Sequence, residues 1–324
     1  MELAYRSSVM RFERLDLNLL VALDVLIAER SVSAAAKKLH LSQPAVSGAL
    51  NRLREFFRDD LLVQVGRQMV LTPKADELAY PVRDALLLIR TRITQPAGFD
   101  PATVEREFSI VASDYIFNIF LADVIAKVAT LAPGVGFEIM PPEAGSTGML
   151  ERGNLDLLIT PHTHVLPHHP YKGLFEDDHA VICWSEGAHG EGIDAEAFLD
   201  AGHAVASFGP DRLTAFSEGW FDRQSIARRI DVRVPSFTWL PLAVIGTNRV
   251  ATMQRRYAEY YARSMAINVL PVPFAIPQLQ EVIQWHSMRE KDEGLQWLIE
   301  LISGHAAELK IVFQAAVDGR YQVE

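Results

Sequence analysis

Cysteine is almost missing from this chain: Cys183 is the only one in 324 residues. One thiol makes neither an internal disulfide nor a four-thiolate metal centre, so a reducing, cytoplasmic setting is expected. Cys183 is expected simply to pack in a strand, Val181-Ile182-Cys183-Trp184. No run of about 18 uncharged apolar residues is present, and Met1 to Asp16 lacks the apolar centre of a signal peptide, which argues against both membrane insertion and secretion. There is no Gly-x-Ser-x-Gly elbow and no phosphate loop. The Gly187–Gly192 stretch has the wrong spacing for a dinucleotide site and no helix behind it. An enzyme is therefore not expected. His162, His164, His168 and His169 invite a zinc or nickel site. They lie among three prolines with no carboxylate or thiol close by, so a solvent-exposed loop is the better reading, with no metal and no cofactor.

What is present is enough apolar material, 49% of residues, to fill two or three domains. The formal charge is −10, which taken whole argues against nucleic acid. Divided by region it argues the reverse. Residues 1–95 carry 14 Lys/Arg and 11 Asp/Glu, a net of +3, and the remainder carries −13. Between Lys37 and Lys74 basic residues outnumber acidic ones seven to three. Such asymmetry marks a nucleic-acid-binding arm on a non-binding body, with the boundary at Thr94-Gln95-Pro96-Ala97-Gly98.

The arm reads as three short helices, a hairpin and a long helix. Leu19, Leu20, Leu23, Leu26 and Ile27 have helical spacing. A second helix starts after Ser31 or Ser33, either of which can cap it, and its run of alanines allows a neighbour to approach closely. A third opens at Ser42, with Pro44 in the first turn, where a missing N–H costs nothing. On it Val46, Leu50, Leu53 and Phe57 form a buried stripe, and Gln43, Ser47, Asn51, Arg54 and Arg58 form a polar face without a carboxylate. Alone, that face also fits a solvated helix. Behind a tight turn and another short helix it makes a helix-turn-helix whose second helix suits a major groove. Residues 61–65 and 68–72 read as a two-stranded wing with Arg67 at its tip, within reach of a minor groove or a phosphate. From Pro73 to Ile93, Leu78, Val82, Ala85 and Ile89 recur at four-three-four spacing, the pattern of a dimerisation seam.

Leu17-Asn18-Leu19-Leu20, Ser33-Ala34-Ala35-Ala36 and Leu41-Ser42-Gln43-Pro44-Ala45-Val46-Ser47, with Leu53, Leu62-Val63 and Leu71-Thr72-Pro73, resemble the signature of LysR-type transcriptional regulators. The resemblance covers the whole chain. It implies a winged helix-turn-helix over 1–72, a linker helix over 73–95 and a two-lobed α/β effector domain over 96–324 that looks like a periplasmic binding protein. By resemblance Gln43, Pro44 and Ser47 face DNA, with Arg67 on the wing; Ser33 and Ser42 are expected among the DNA-binding residues as well. Met10-Arg11-Phe12 looks like a family start, which leaves residues 1–9 as an extension. The resemblance also implies double-stranded DNA with an interrupted palindrome as partner, self-association to a dimer and then a tetramer, and an output to RNA polymerase through a bend in the DNA. Whether that output is activation or repression stays open.

Past Pro96, strand-like segments 107–112, 136–140 and 155–160 alternate with helical segments near 120–128 and 149–152, which predicts a parallel sheet. Runs at 180–184, 204–208, 230–234, 250–253 and 267–272 predict a second, smaller sheet. The expected lobes are about 104–174 with 284–308, and about 181–271, joined by crossings near 174–181 and 271–283. Ligands of open α/β folds sit at strand carboxyl ends. This places Ser113, Ser146, Thr147, His162, Phe208, Phe237, Thr238, Thr252 and Met253 as ligand-binding candidates. The set is aromatic, hydroxylated and without Lys or Arg, although Arg212 and Arg255 lie just beyond, so a neutral hydroxylated aromatic fits better than a small carboxylic acid. Within the family, Arg58-Asp59-Asp60-Leu61, Phe175-Glu176-Asp177, Val234-Pro235-Ser236-Phe237, Gly246-Thr247-Asn248-Arg249 and Val282-Ile283-Gln284-Trp285 resemble flavonoid-responsive nodulation regulators and related aromatic sensors. The last helix is expected over Gly294–Ser303, with the tail 309–324 unassigned.

Overall fold

The computed structural model describes residues 15–66, 68–93 and 98–317. Its contacts divide into two units, Met1–Gln95 and Pro96–Glu324.

The first unit holds helices α1 (Leu17–Glu29), α2 (Val32–Lys38) and α3 (Gln43–Phe57), an antiparallel hairpin of β1 (Leu62–Val65) and β2 (Gln68–Leu71), and the long α4 (Pro73–Arg92). Each helix begins where a side-chain oxygen accepts an otherwise unsatisfied N–H: Asp16 from Asn18, Ser31 from Ala34, Ser42 from Ala45 and Thr72 from Ala75. Ser31, not Ser33, is thus the cap of α2. Leu23, Leu26, Ala35, Val46, Leu53, Leu61 and Leu62 are fully buried in one core. Ala35 and Ala36 let α1 and α3 close on α2. Arg83 of α4 donates to Asp24 of α1 at 3.0 Å, fixing the long helix to the bundle. Gly66 takes a φ of +63° at the hairpin turn, a conformation that glycine adopts without steric cost. Arg67 and the Met10-Arg11-Phe12 start lie outside the described residues.

The second unit is two-lobed. In the first lobe β3 (Arg106–Val111), β4 (Val135–Met140), β5 (Leu157–Pro161), β6 (Tyr171–Asp177) and β13 (Leu279–Gln284) form a sheet in the order β4-β3-β5-β13-β6. In the second, β7 (His179–Trp184), β8 (Gly202–Phe208), β10 (Arg229–Val234), β11 (Val250–Gln254) and β12 (Ile267–Pro271) run β10-β8-β11-β7-β12, with β9 (Leu213–Thr214) paired to β8. The second sheet is therefore not the smaller one. Nor is either sheet purely parallel: β13 runs antiparallel to β5 and β6, and β7 antiparallel to β11 and β12. This follows from the crossings, because a strand that returns from the other lobe enters its sheet from the opposite end. The chain crosses at Asp178 and again between Pro271 and Leu279.

Helices cover the sheets: α5 (Ala122–Leu131) continues a helical run that begins at Asp114 and passes one wider π-type turn, Phe117–Leu121. Then come α6 (Ser146–Glu151), α7 (Ala195–Asp200), α8 (Phe216–Arg223), α9 (Leu240–Val244), α10 (Arg255–Ala262) and α11 (Glu293–Val317). The last runs well past Ser303 and takes up much of the unassigned tail. Residues 318–324 lie outside the described set. The Gly246-Thr247-Asn248-Arg249 stretch is a turn that launches β11. Gly246 has a φ of +73°, the Thr247 hydroxyl accepts from Arg249 N–H and donates to the Val244 carbonyl, and Asn248 accepts from Ala188 N–H.

The first lobe is pinned at one end by charge. Arg106 forks onto Asp292 at 2.6 and 2.8 Å, and Asp156 receives Ser109, Arg106 and Arg289. Burial alone would raise the Asp292 carboxyl; the Arg106 hydrogen bonds outweigh it and hold the group below the usual range. Asp292 is only 1% exposed, so Asp292→Ala leaves Arg106 without its principal partner. The expected loss is roughly 3 kcal/mol in urea unfolding of the full chain at pH 7. Since the folded pKa is depressed, the wild-type advantage holds above about pH 4 and disappears as pH falls through the lower folded value. An unchanged midpoint at pH 7 contradicts the role of this pair.

Candidate nucleic-acid interface and ligand cleft

The amino-terminal end of α3 stands clear of its own module. Val46, Leu50 and Leu53 are buried below it, while Leu41, Ser42, Gln43, Pro44, Ala45 and Asn51 are exposed and Ser47 is half-buried. Ser33 is exposed at the start of α2, with its hydroxyl 3.1 Å from that of Ser31. Arg58 is exposed and closes α3 in a left-handed conformation. Arg54 departs from its expected place on this polar face. Its Nε donates to the Asp60 carbonyl at 2.8 Å and its Nη2 to the Leu62 carbonyl at 2.8 Å, while Nη1 is 3.4 Å from Asn51 Oδ1. It fastens the wing to α3. Asp59 completes the joint, accepting from Thr72 Oγ1 and Leu61 N–H.

The expected seam on α4 also changes. Val82 is 5% exposed and lies in the module's own core, Leu78 packs on the same core, and Ala85 and Ile89 are half-buried. Four-three-four spacing marks a buried stripe without saying which neighbour buries it, and here the module's own core takes Val82.

In the second unit, a cavity of about 60 Å³ opens between the lobes. Its wall is made by Ser113, Ile159, Thr160 and His164 from the first lobe's strand ends, Phe208, Leu213, Phe216 and Phe237 from the second, and Gln254, Leu279 and Glu281 beside the crossings. Phe208 and Phe237 meet edge to face at 5.1 Å. Beside the cavity the two lobes are hydrogen-bonded together. The Asp114 carboxylate accepts from Phe237 N–H, from Thr238 N–H at 2.6 Å and from Thr238 Oγ1 at 2.6 Å, and Asn118 Nδ2 donates to Tyr257 Oη at 2.6 Å. Under the cavity, Tyr115 donates to Asp177 at 2.7 Å, and Arg256 Nε lies 3.7 Å from the same carboxylate. Burial raises Asp177 to about 6; burial and the neighbouring Asp177 charge raise Glu281 to about 8.

Residues 17–76 match the model for bacterial regulatory helix-turn-helix proteins of the lysR family, and residues 101–307 match the LysR substrate binding domain. The chain is 39% identical to nodulation protein D 2 of Rhizobium tropici over 92% of its length and 95% of the relative's. It is 36% identical to nodulation protein D 1 of a Bradyrhizobium strain, over 96% and 100%. The chain belongs to the LysR family of transcriptional regulators. Among solved structures, a probable transcriptional regulator of Pseudomonas aeruginosa aligns with a TM-score of 0.60 at 26% identity, covering 91% of this chain and 98% of the other. A full-length OxyR variant from the same organism shares the fold, with a TM-score of 0.64 at 17% identity over 90% and 95%.

In this LysR-type regulator the cavity gathers Ser113, Phe208 and Phe237 from the expected ligand set and leaves out the rest. Ser146 is buried, its hydroxyl accepting from Glu143 N–H, and Thr147 does not reach the wall. His162 hydrogen-bonds Tyr171 Oη at 3.1 Å and faces a separate hollow of about 270 Å³; the short turn after β5 brings His164 to the cavity instead. Thr238 is engaged by Asp114 and Tyr257. Thr252 and Met253 are buried inside β11, because that strand runs one residue further and ends at Gln254. Among the described residues no group of three or more His, Cys, Asp or Glu is arranged to hold a metal ion. Gln254, Glu281 and Asp114 were missed, although a signal was present for two of them. Asp114 lies two residues beyond the strand-like segment 107–112, and Glu281 is the one acid in the segment 279–284.

Two substitutions on α3 separate sequence reading from scaffold. Gln43→Ala is expected to weaken the preferred site by about tenfold (roughly 1–3 kcal/mol per base contact) while leaving random DNA unaffected in a gel-shift competition. Arg54→Ala is expected to weaken both alike and to lower the melting temperature, since it frees the wing. Equal behaviour of the two variants contradicts this division.

Proposed function

We propose that the protein regulates transcription in response to a small, hydroxylated aromatic ligand, flavonoid- or phenol-like, held between the two lobes of its effector domain. The observation that carries this reading is the cavity wall. Phe208, Phe216 and Phe237 stand with Ile159, Leu213 and Leu279, and no Lys or Arg lines it. A small carboxylic acid, the competing choice, calls for a cation. Arg212 and Arg255 do not reach the wall, and Arg255 lies 3.8 Å from Glu259. The similarity to nodulation proteins D supports the same choice.

At about 60 Å³ the cavity has room for a few water-sized spheres, at roughly 10–15 Å³ each. Entry of a bicyclic aromatic is taken to part the lobes, so ligand works against the Asp114 contacts. The change in lobe angle then biases DNA binding, as any ligand with unequal affinity for two conformations does. In this reading Ser33, Ser42, Gln43, Pro44, Ser47 and Asn51 meet the DNA, and Arg58 and Arg67 contact phosphate or the minor groove. The regulator acts on an interrupted palindrome as a dimer that pairs again to a tetramer, and its output reaches RNA polymerase.

A thermal-shift panel tests the ligand class. Flavonoids, hydroquinones and salicylates are offered to the purified full chain, and at least one hydroxylated aromatic raises the melting temperature through linkage. No shift with any of them contradicts the reading. Binding to a palindromic promoter fragment falls steeply with salt, as phosphate neutralisation requires.

A further inference from the structure

Two buried oxygen atoms in the cleft have no hydrogen-bond partner among the described residues: Glu281 Oε2 and Gln254 Oε1. Each residue is 4% exposed, and each lines the cavity. They come from opposite sides of the hinge. Glu281 sits in β13 of the first lobe, on the same face as Leu279 because residues two apart on a strand point the same way. Gln254 is the last residue of β11 in the second lobe. Leaving such groups unsatisfied in a folded protein is costly, and an exception calls for a partner that arrives from outside the chain.

We propose that Glu281 and Gln254 are the two polar grips of the effector cleft, and that they select an uncharged aromatic carrying both a carbonyl-type acceptor and a hydroxyl donor over an aromatic carboxylate. The inference rests on the aromatic-effector reading above and names the chemistry of that site. Glu281 is surrounded by Asp177 from β6, Tyr115 from the helical run after β3 and His164 across the cavity, with Arg256 held against Asp177. Its only nearby full charge of like kind is Asp177, so near neutral pH the Glu281 carboxyl keeps its proton and donates it to a ligand carbonyl. Gln254 presents its amide oxygen to a ligand hydroxyl. An incoming carboxylate finds no Lys or Arg on the wall and sits close to the Asp177 charge. The rest of the wall is apolar or aromatic and grips the flat body of the ligand without choosing between neutral and charged ends. A ligand held at both grips is tied to both lobes, so its polar edge also determines the lobe angle at which it binds.

The test uses the full-length protein, unsubstituted flavone, the monohydroxyflavones and salicylate, with affinities from titration calorimetry. In the wild type the best monohydroxyflavone binds at least about tenfold more tightly than flavone, and salicylate binds more weakly than either. Gln254→Leu brings the hydroxyflavone-to-flavone ratio close to one. Glu281→Leu weakens all the flavones about tenfold, and Glu281→Gln, which stays neutral and still donates, remains within about threefold of wild type. Gln254→Met and the thermal melts of each variant guard against simple misfolding. The inference is overturned if both leucine variants fold and keep wild-type affinities and ratio, since water then satisfies the two oxygens. Salicylate binding as tightly as the flavones overturns it as well. In both cases binding of flavones leaves the aromatic reading standing, whereas a wild type that binds none of the flavones removes both.

Discussion

One carboxylate ties the two lobes together. Asp114 begins the helical run after β3 and receives three donors from the turn that opens α9. Its chain neighbour Ser113 and the Phe237 whose N–H it accepts are themselves walls of the cavity. The same hydrogen bonds that join the lobes therefore set the width of the cleft between them. Anything that enters must either fit that width or change it. The chain crosses between lobes at Asp178 and again between Pro271 and Leu279, so both crossings adjoin the strands that carry Asp177 and Glu281.

The two units divide the work by charge. The net of −10 combines a mildly basic reader and a strongly acidic sensor. An acidic sensor repels phosphate and leaves DNA contact to the reader. Within the reader the basic residues are not equivalent. Arg54 holds the wing, Arg83 holds α4 to α1, and Arg52 pairs with Asp16 at 3.1 Å, so these three are engaged inside the module.

Much of this was legible in the sequence because it depends on local rules. The cap at Ser42, proline in the first turn, and apolar spacing along α3 place the helix-turn-helix without any long-range information. What resisted reading depends on packing between distant segments. Spacing showed that Val82 is buried but not that its own module's core buries it. Polarity placed Arg54 on an open face, although its guanidinium reaches back to the Asp60 carbonyl before the wing and the Leu62 carbonyl within it. In the sensor, the positions of most strands were legible, but the last residue of a strand was not. An error of one position moved the expected contact from Gln254 to Met253, which lies in the core. Antiparallel pairing of β13 was hidden because it arises from the return crossing rather than from local sequence.

The central claim is that an aromatic effector changes the angle between lobes whose spacing is fixed by Asp114. It is tested most directly by a distance measured across the cleft, with spin labels at Lys127→Cys on α5 and Asp222→Cys on α8, both exposed, while the native Cys183 is buried. Pulsed electron–electron resonance on the full chain should show the label distance lengthening when a binding hydroxyflavone is added. The same shift should occur without ligand in Asp114→Ala. A distance distribution that stays the same or shortens with bound ligand contradicts the account.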